Sequence, residues 1–194
     1  MNMAVKPKKD RDAGVLVALI RGINVGRAKR VQMAELRKIV AELGYGNVKT
    51  LLNSGNVVFT DGGAGPALAA AGIERGIEAR FGVTARVTVV TARELEAVIE
   101  ANPLVTIADN PSRLLVGFLA DAESRALVEP LLNRDWSPAA LALGPGAAYL
   151  WCPEGVMACG LCDEFSRLLR DSVTSRNWGT TLKIQAAVHA LRSE

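Results

Sequence analysis

Three polar runs contain the residues of this chain that are best suited to chemistry. The first is Arg21-Gly22-Ile23-Asn24-Val25-Gly26, the second is Ser54-Gly55-Asn56, and the third is Thr174-Ser175-Arg176-Asn177-Trp178. Glycine and asparagine favour turns, while guanidinium, amide, hydroxyl and backbone N–H groups can hold an anion. These runs predict a ligand site made of Arg21, Asn24, Ser54, Gly55, Asn56, Ser175, Arg176 and Asn177.

Each run also has a structural interpretation. The first follows a strand and precedes a helix, as phosphate loops do, but its Gly-x-x-x-Gly spacing fits neither the dinucleotide fingerprint nor the P-loop. The second is ordinary hairpin chemistry. The third offers an arginine fork beside a tryptophan face, yet it could equally cap and dock the last helix. A structural turn is the simpler interpretation of the first two runs.

A shared site requires the three runs to meet at one surface. The first run leaves the end of strand one, and the turn between the second and third strands could lie at the opposite end of the sheet. The prediction therefore rests on the similar chemistry of the runs.

The three cysteines, Cys152, Cys159 and Cys162, include a Cys-x-x-Cys pair with the spacing of half a zinc site. Tetrahedral zinc takes four ligands, and only the distant His189 could add one. We therefore expect no metal and no cofactor. With a single histidine and no nucleophile-elbow sequence, the chain carries no Ser-His-Asp signature.

Composition indicates an ordinary globular protein of 194 residues, 49% hydrophobic and 22% charged, with a net charge of +3. Residues 21–38 hold six basic residues and one acidic residue, which favours anionic partners. An odd cysteine count without an export signal indicates a cytoplasmic protein. The long uncharged stretch of residues 136–153 is broken by prolines, so no membrane span is expected.

The elements that must position these runs follow from hydrophobic periodicity. Residues 15–20 form a continuous apolar strand, and the first 100 residues then order as βαββαβ with a further helix that opens on the capping box Thr91-x-x-Glu94. This is the ferredoxin-like split βαβ arrangement, an antiparallel sheet with both helices on one face.

The second half restarts this order as βαββα, without a final strand, and ends in a helix from Thr180 or Thr181 to Leu191. We therefore predict an α+β protein with an internal repeat of two ferredoxin-like halves. Residues 1–12 are predicted to be a disordered tail, residues 13–101 the first subdomain, and residues 113–194 the second subdomain with its C-terminal helix.

The chain resembles the bacterial family catalogued as domain of unknown function 1697. The resemblance is carried by residues 17–26, by Met33-Ala34-Glu35-Leu36, by Ser54-Gly55-Asn56-Val57-Val58-Phe59, and by Thr174-Ser175-Arg176-Asn177-Trp178. It implies two ferredoxin-like halves and no established activity. Between Gly155 and Asp163 this chain departs from the pattern, with two cysteines where the family has basic and hydroxyl residues.

Three function classes remain open on sequence grounds. The leading hypothesis is a binding protein for a small anionic, phosphate-bearing ligand. The alternatives are an enzyme acting on such a ligand, and a self-associating or nucleic-acid-contacting module. RNA binding by a ferredoxin-like sheet requires exposed aromatic residues on the central strands, and only Phe59 is available. The sequence leaves the oligomeric state open.

Overall fold

The computed structural model describes residues 14–24 and 30–193. The predicted N-terminal tail, and Val25 and Gly26 of the first polar run, lie outside the described residues. The first half contains four strands and three helices: β1 (Val15–Arg21), α1 (Met33–Glu42), β2 (Gly46–Leu51), β3 (Asn56–Thr60), α2 (Pro66–Phe81), β4 (Arg86–Thr91) and α3 (Ala92–Glu100).

The second half repeats this order along the chain. Its elements are β5 (Leu114–Leu119), α4 (Ala122–Val128), β6 (Ala140–Gly144), β7 (Ala147–Trp151), α5 (Gly160–Leu169), β8 (Val173–Asn177) and α6 (Trp178–Ser193). Short 3₁₀ turns lie at Pro103–Thr106, Glu129–Asn133, Val156–Ala158 and Arg170–Ser172.

Each half forms one four-stranded antiparallel sheet. The strand orders are β2-β3-β1-β4 and β6-β7-β5-β8, so each strand of one half has a counterpart at the same place in the other. The predicted α+β class with two ferredoxin-like halves is confirmed. The β6–β7 hairpin lies between α4 and α5, as the proposed repeat requires.

The prediction that the second half lacks its final strand is wrong. Val173–Asn177 forms β8, which pairs with β5 along the edge of the second sheet, and α6 begins directly after it at Trp178. This strand reads Val-Thr-Ser-Arg-Asn, a polar pattern that hides it from a search for hydrophobic alternation. Its polar residues are buried because they pack against the first half, as Thr174 and Arg176 show.

Every residue from Val15 to Ile20 is buried because both faces of the first sheet are covered. Alternate side chains of a strand point to opposite faces. Leu16, Ala18 and Ile20 therefore pack with α1 and α2, whereas Val17 and Leu19 join a separate core on the other face.

A central layer made of α3 and α6 lies between the two sheets, which also touch directly where β8 meets β1 and β4. Its core joins Leu19 of β1 and Phe118 of β5 to Leu95 of α3 and Ile184 of α6. The outer face of the second sheet packs with α4 and α5 in a third core. The described structure is thus layered as two helices, sheet, two helices, sheet and two helices, with the split βαβ helices on one face of each sheet.

Tyr149 of β7 forms a hydrogen bond to α3 within the central layer. Its buried hydroxyl donates a hydrogen bond of 2.6 Å to the carbonyl of Val98, in the last turn of α3. Carbonyls in the last turn of a helix have no partner within the helix, so this contact satisfies one of them and joins the two halves. Burial raises the pKa of Tyr149 to about 12.

Candidate functional site: a groove between the two halves

The three polar runs meet at one place in the structure. Strand β3 is antiparallel to β1, and Leu19 lies opposite Asn56, so the end of β1 lies beside the start of β3. The Ser54-Gly55 turn therefore lies next to Arg21. The edge strand β8 brings Ser175 and Arg176 of the second half to the same place.

Arg176 joins the third run to the second run and to the end of β1 through five oxygen acceptors. Its Nε donates to Asn56 Oδ1 at 2.5 Å, and its Nη2 donates to the carbonyls of Ile20, Ser54 and Gly55 at 2.8, 3.0 and 3.2 Å. Its Nη1 donates to the carbonyl of Ser175 at 2.8 Å. Four of these acceptors belong to the first half, so Arg176 clamps one half of the protein to the other.

The positive charge of Arg176 is stabilised by neutral carbonyl and amide oxygens. The residue is 9% exposed, and no carboxylate of the described residues lies within ion-pair distance of it. Burial lowers the pKa of Arg176 to about 10, which leaves the guanidinium charged at neutral pH. A positive charge without a neighbouring anion is therefore built into the contact between the halves.

The amides of Asn56 and Asn24 are used by the backbone around them. Asn56, which is fully buried, donates through Nδ2 to the carbonyl of Leu51 at 2.9 Å and to Ser54 Oγ at 3.0 Å. Asn24 has φ 57° and donates to the carbonyls of Val31 and Asn53, while its Oδ1 accepts from the Val31 N–H. Both side chains hold turns in place.

Asn177 begins the last helix. Its Oδ1 accepts a hydrogen bond of 2.8 Å from the backbone N–H of Thr180, three residues on, which is the contact of a helix N-cap. Its carbonyl accepts from the Thr181 hydroxyl. The helix-capping interpretation of the third polar run thus holds for Asn177.

A groove of about 430 Å³ lies where the two halves meet. Four of the eight predicted site residues line it: Arg21, Ser54, Ser175 and Arg176. The other four, Asn24, Gly55, Asn56 and Asn177, do not line it. Each has a place behind or beside the groove, in the turns and the helix cap that position the lining residues.

Residues of the second half complete the lining. Thr174 and Ser166 add hydroxyl groups, and Leu115, Leu150 and Phe165 form an apolar wall. Thr174 belongs to the third polar run, and its hydroxyl side chain was the signal in the sequence that could have identified it as a lining residue. Ser166 and the apolar residues carry no such signal in the sequence, because only the packing of β5, β7 and α5 brings them to the groove.

Arg21 is the more accessible of the two arginines. Its side chain is 32% exposed, its Nη1 donates to the carbonyl of Val173 at 2.7 Å, and its Nε lies 3.7 Å from a carboxylate oxygen of the exposed Asp171. Within the described residues, no acceptor for Nη2 is found. Arg21 also lies opposite Arg86 on β4, which places two positive charges side by side.

The three cysteines lie together beside this groove. Cys152 Sγ is 3.1 Å from Cys162 Sγ, and all three sulfur atoms lie within 4.8 Å of one another, buried. The contact with Cys162, together with burial, raises the pKa of the Cys152 thiol, and burial raises that of Cys159. The sequence showed only the Cys-x-x-Cys pair, whereas the fold adds Cys152 from the end of β7.

Phe59 does not offer an exposed face for base stacking. Phe59, the aromatic residue of the central strands β1 and β3 of the first sheet, is fully buried among residues packed with α1 and α2, and Phe118, Tyr149 and Trp151 on the central strands of the second sheet are buried as well. Both faces of each sheet carry helices, so the described structure offers no open sheet for base stacking. Arg27 and Lys29 of the basic segment lie outside the described residues. No helix in the described ranges has the length and apolar character needed to span a bilayer.

Comparison with known proteins supports the fold. The conserved bacterial protein SP0830 from Streptococcus pneumoniae has a similar structure, with a TM-score of 0.75 and 22% sequence identity over 90% of this chain and 98% of that one. A comparison with curated proteins finds no match. A family model described as protein of unknown function (DUF1697) matches residues 14–149. Since this match covers more than half of the sequence, the chain belongs to the DUF1697 family.

Proposed function

We propose that this protein binds a small anionic, phosphate-bearing ligand in the groove between its two halves. One observation carries the proposal: the groove is lined by two arginines, Arg21 and Arg176, and by no aspartate or glutamate of the described residues. Arg176 has no carboxylate partner among the described residues, and the carboxylate paired with Arg21, that of the exposed Asp171 at 3.7 Å, lies outside the lining. Positive charge that is not neutralised within the groove attracts an anion, and the attraction is stronger where protein excludes water.

The two arginines have different roles in this proposal. Arg176 donates hydrogen bonds to five oxygens of the protein, so it supplies a fixed positive charge. Arg21 keeps Nη2 for a direct contact with the ligand. Ser54 and Ser175 line the same groove and add hydroxyl donors. A guanidinium beside hydroxyl groups is a common arrangement around phosphate oxygens.

The apolar wall indicates that the ligand has an organic part. Leu115, Leu150 and Phe165 face the same space as the arginines. Ligand pockets typically measure about 300–1,000 Å³ and combine apolar walls with a few polar groups. The groove, at about 430 Å³, has room for a phosphorylated metabolite of the size of a mononucleotide.

Binding is favoured over catalysis because of what the lining offers. General acid–base chemistry requires a group that titrates near neutral pH within reach of the substrate. The described lining contains no histidine, aspartate or glutamate, the residues that most often serve as general acid or base. The free thiols of the three cysteines fit a reducing, cytoplasmic location, which is part of the proposal.

The test compares Arg21→Ala with a matched control, Arg75→Ala. Arg75 is an exposed arginine of α2, on the outer side of the first sheet, and its removal changes the net charge by the same amount. Binding of AMP and inorganic pyrophosphate is measured by calorimetry at two salt concentrations. We expect Arg21→Ala to weaken binding roughly ten- to hundredfold, the value of a charge-assisted contact, and Arg75→Ala to bind as the wild type does.

Arg21→Ala should fold normally. The variant loses the hydrogen bond to the Val173 carbonyl, but it also relieves the repulsion between Arg21 and Arg86. Equal affinities for Arg21→Ala and Arg75→Ala, or no saturable binding of either anion by the wild type, would contradict the proposal.

A further inference from the structure

The three cysteines of this chain come from separate places and converge on one point. Cys152 directly follows β7, Cys159 is the residue before α5, and Cys162 lies in the first turn of that helix. Their sulfur atoms all lie within 4.8 Å of one another, and the closest pair, Cys152 and Cys162, is 3.1 Å apart. All three residues are buried.

We propose that Cys152, Cys159 and Cys162 bind a single Zn²⁺ ion as thiolates. With Zn–S bonds of about 2.3 Å in tetrahedral geometry, two thiolates on one zinc lie about 3.8 Å apart. The sulfur separations in this protein, from 3.1 Å to at most 4.8 Å, bracket that value. Small side-chain rotations would therefore complete the site without moving the backbone.

The triangular arrangement favours a metal over a disulfide. A disulfide uses two sulfur atoms and leaves the third with no role, whereas all three sulfurs here are mutual neighbours. Cys159 and Cys162 are fixed three residues apart at the start of α5, and Cys152 approaches them from the neighbouring strand end. This is a preformed set of three soft ligands, which select zinc or copper(I) among common metals.

The fourth coordination position has space beside it. Cys152 and Cys159 line a cavity of about 270 Å³, which is far larger than one water molecule. Asp135 and Glu154 line the same cavity. Three protein ligands with an open fourth position are typical of zinc sites that bind water or a substrate. Binding converts three thiols to thiolates and releases three protons to the buffer, with no change in oxidation state.

Our expectation from the sequence, that these cysteines bind no metal, rested on counting four ligands along the chain. The structure changes that argument, because three converging thiols with an open position need no fourth residue. The inference concerns a site different from the proposed anion contact at Arg21, and its test is independent of the ligand of the groove.

The test uses the full chain, purified under reducing conditions and stripped of metal with a chelator. Co²⁺ serves as a spectroscopic probe, since thiolate ligands give it an intense near-ultraviolet charge-transfer band, and Zn²⁺ affinity is measured by competition with a chromophoric chelator. We expect one ion per chain, with the thiolate band present. Cys159→Ser should lose much of this band and bind zinc at least roughly tenfold more weakly.

Cys159→Ser is the most informative variant because serine is a preferred residue at the start of a helix, so α5 should be retained. The control is Met157→Ala, which removes the sulfur of a residue that is 94% exposed and close in sequence to the cluster. It should bind zinc as the wild type does. The proposal is overturned if the wild type gives no thiolate band or if Cys159→Ser retains wild-type zinc affinity. It is equally overturned if mass spectrometry of a parallel preparation, purified without reductant or chelator, shows a disulfide among these cysteines in place of free thiols.

Discussion

Replacing Arg176 tests whether its buried charge holds the two halves of the protein together. The sequence placed Arg176 among the residues of a predicted ligand site. The structure leads to a different expectation, because the guanidinium donates to five oxygens at the contact between the halves. Arg176→Met is the sharper change, since methionine fills part of the same space without a donor.

The magnitude follows from the acceptors that lose their donor. Asn56 Oδ1 and the Ser54 carbonyl have no second donor among the described contacts, whereas the Gly55 carbonyl also accepts from the Ile20 N–H. A buried acceptor without a partner costs about 1–3 kcal/mol. Asn56 Oδ1 is buried and accounts for about 1–3 kcal/mol, whereas the Ser54 carbonyl is part-buried beside the groove, where water can reach it, and adds less, so the total is about 3 kcal/mol.

The assay is urea unfolding at neutral pH, with thermal melting as a second measurement. A loss of about 3 kcal/mol in a chain of this length corresponds to a fall of roughly 6–12 °C in melting temperature. Arg176→Lys keeps the charge but replaces the planar fork with three donors on one atom, so we expect an intermediate loss. The control, Arg167→Met, removes a guanidinium that is 74% exposed and should change stability by less than about 0.5 kcal/mol.

The result that would refute this reasoning is an Arg176→Met protein as stable as the wild type, or more stable. It would mean that the cost of burying the guanidinium outweighs the contacts it makes, as occurs for some buried charged groups. An equal loss in Arg176→Met and Arg167→Met would likewise show that the five contacts contribute no more than one exposed charge does.

Two further predictions concern Tyr149 and Asn177. The Tyr149 phenol stays neutral in the folded protein up to a pKa of about 12 but ionises near 10 when unfolded, so stability that is present below pH 10 should fall by about 2–3 kcal/mol as pH rises from 10 to 12. Tyr149→Phe loses the hydrogen bond to the Val98 carbonyl, so it should be about 1–2 kcal/mol less stable than the wild type at pH 8. It should also lack the loss of stability between pH 10 and 12. Urea unfolding of both proteins at several pH values tests this, and identical pH profiles would contradict the prediction. Asn177→Ala should lower the free energy of unfolding by about 1 kcal/mol, because it removes the cap on the Thr180 N–H, and Asn177→Ser should recover most of that loss. Both variants should bind pyrophosphate as the wild type does. Weakened binding with unchanged unfolding would show that Asn177 contacts the ligand instead.

The fold could be predicted where the hydrophobic pattern and the turn residues agree. The strand at residues 15–20 was visible as an apolar run because its two faces meet two different cores. The capping box at Thr91 and Glu94 is present, and Gly44 takes a positive φ of 92° just past the end of α1. These are local signals, in which a few neighbouring residues determine the backbone.

Strand β8 could not be found in this way because its stability comes from residues distant in sequence. It pairs with β5, some sixty residues earlier, and Thr174 contacts Thr88 of the other half at 2.9 Å between the hydroxyl oxygens. The same reason explains the partial success at the candidate site. Residue type identified Arg21 and Arg176 as candidate site residues. It could not show that Arg176 donates its hydrogen bonds to protein oxygens, whereas one nitrogen of Arg21 has no described acceptor.

The internal repeat relates the position of the groove to a difference between the equivalent edge strands β4 and β8. Val17 on β1 and Val116 on β5 occupy equivalent places, since each contributes to the central core and lies opposite the middle residue of the neighbouring hairpin strand. On their other side, Val17 pairs with Val90 of β4, whereas Val116 pairs with Arg176 of β8. In the first half that position extends the apolar core, and in the second it holds a buried charge. A buried guanidinium is stable when oxygens surround it, and the carbonyl of Ser54 is one of the oxygens that the first half presents to β8. The asymmetry between two similar halves thus coincides with the surface at which we propose that an anion binds.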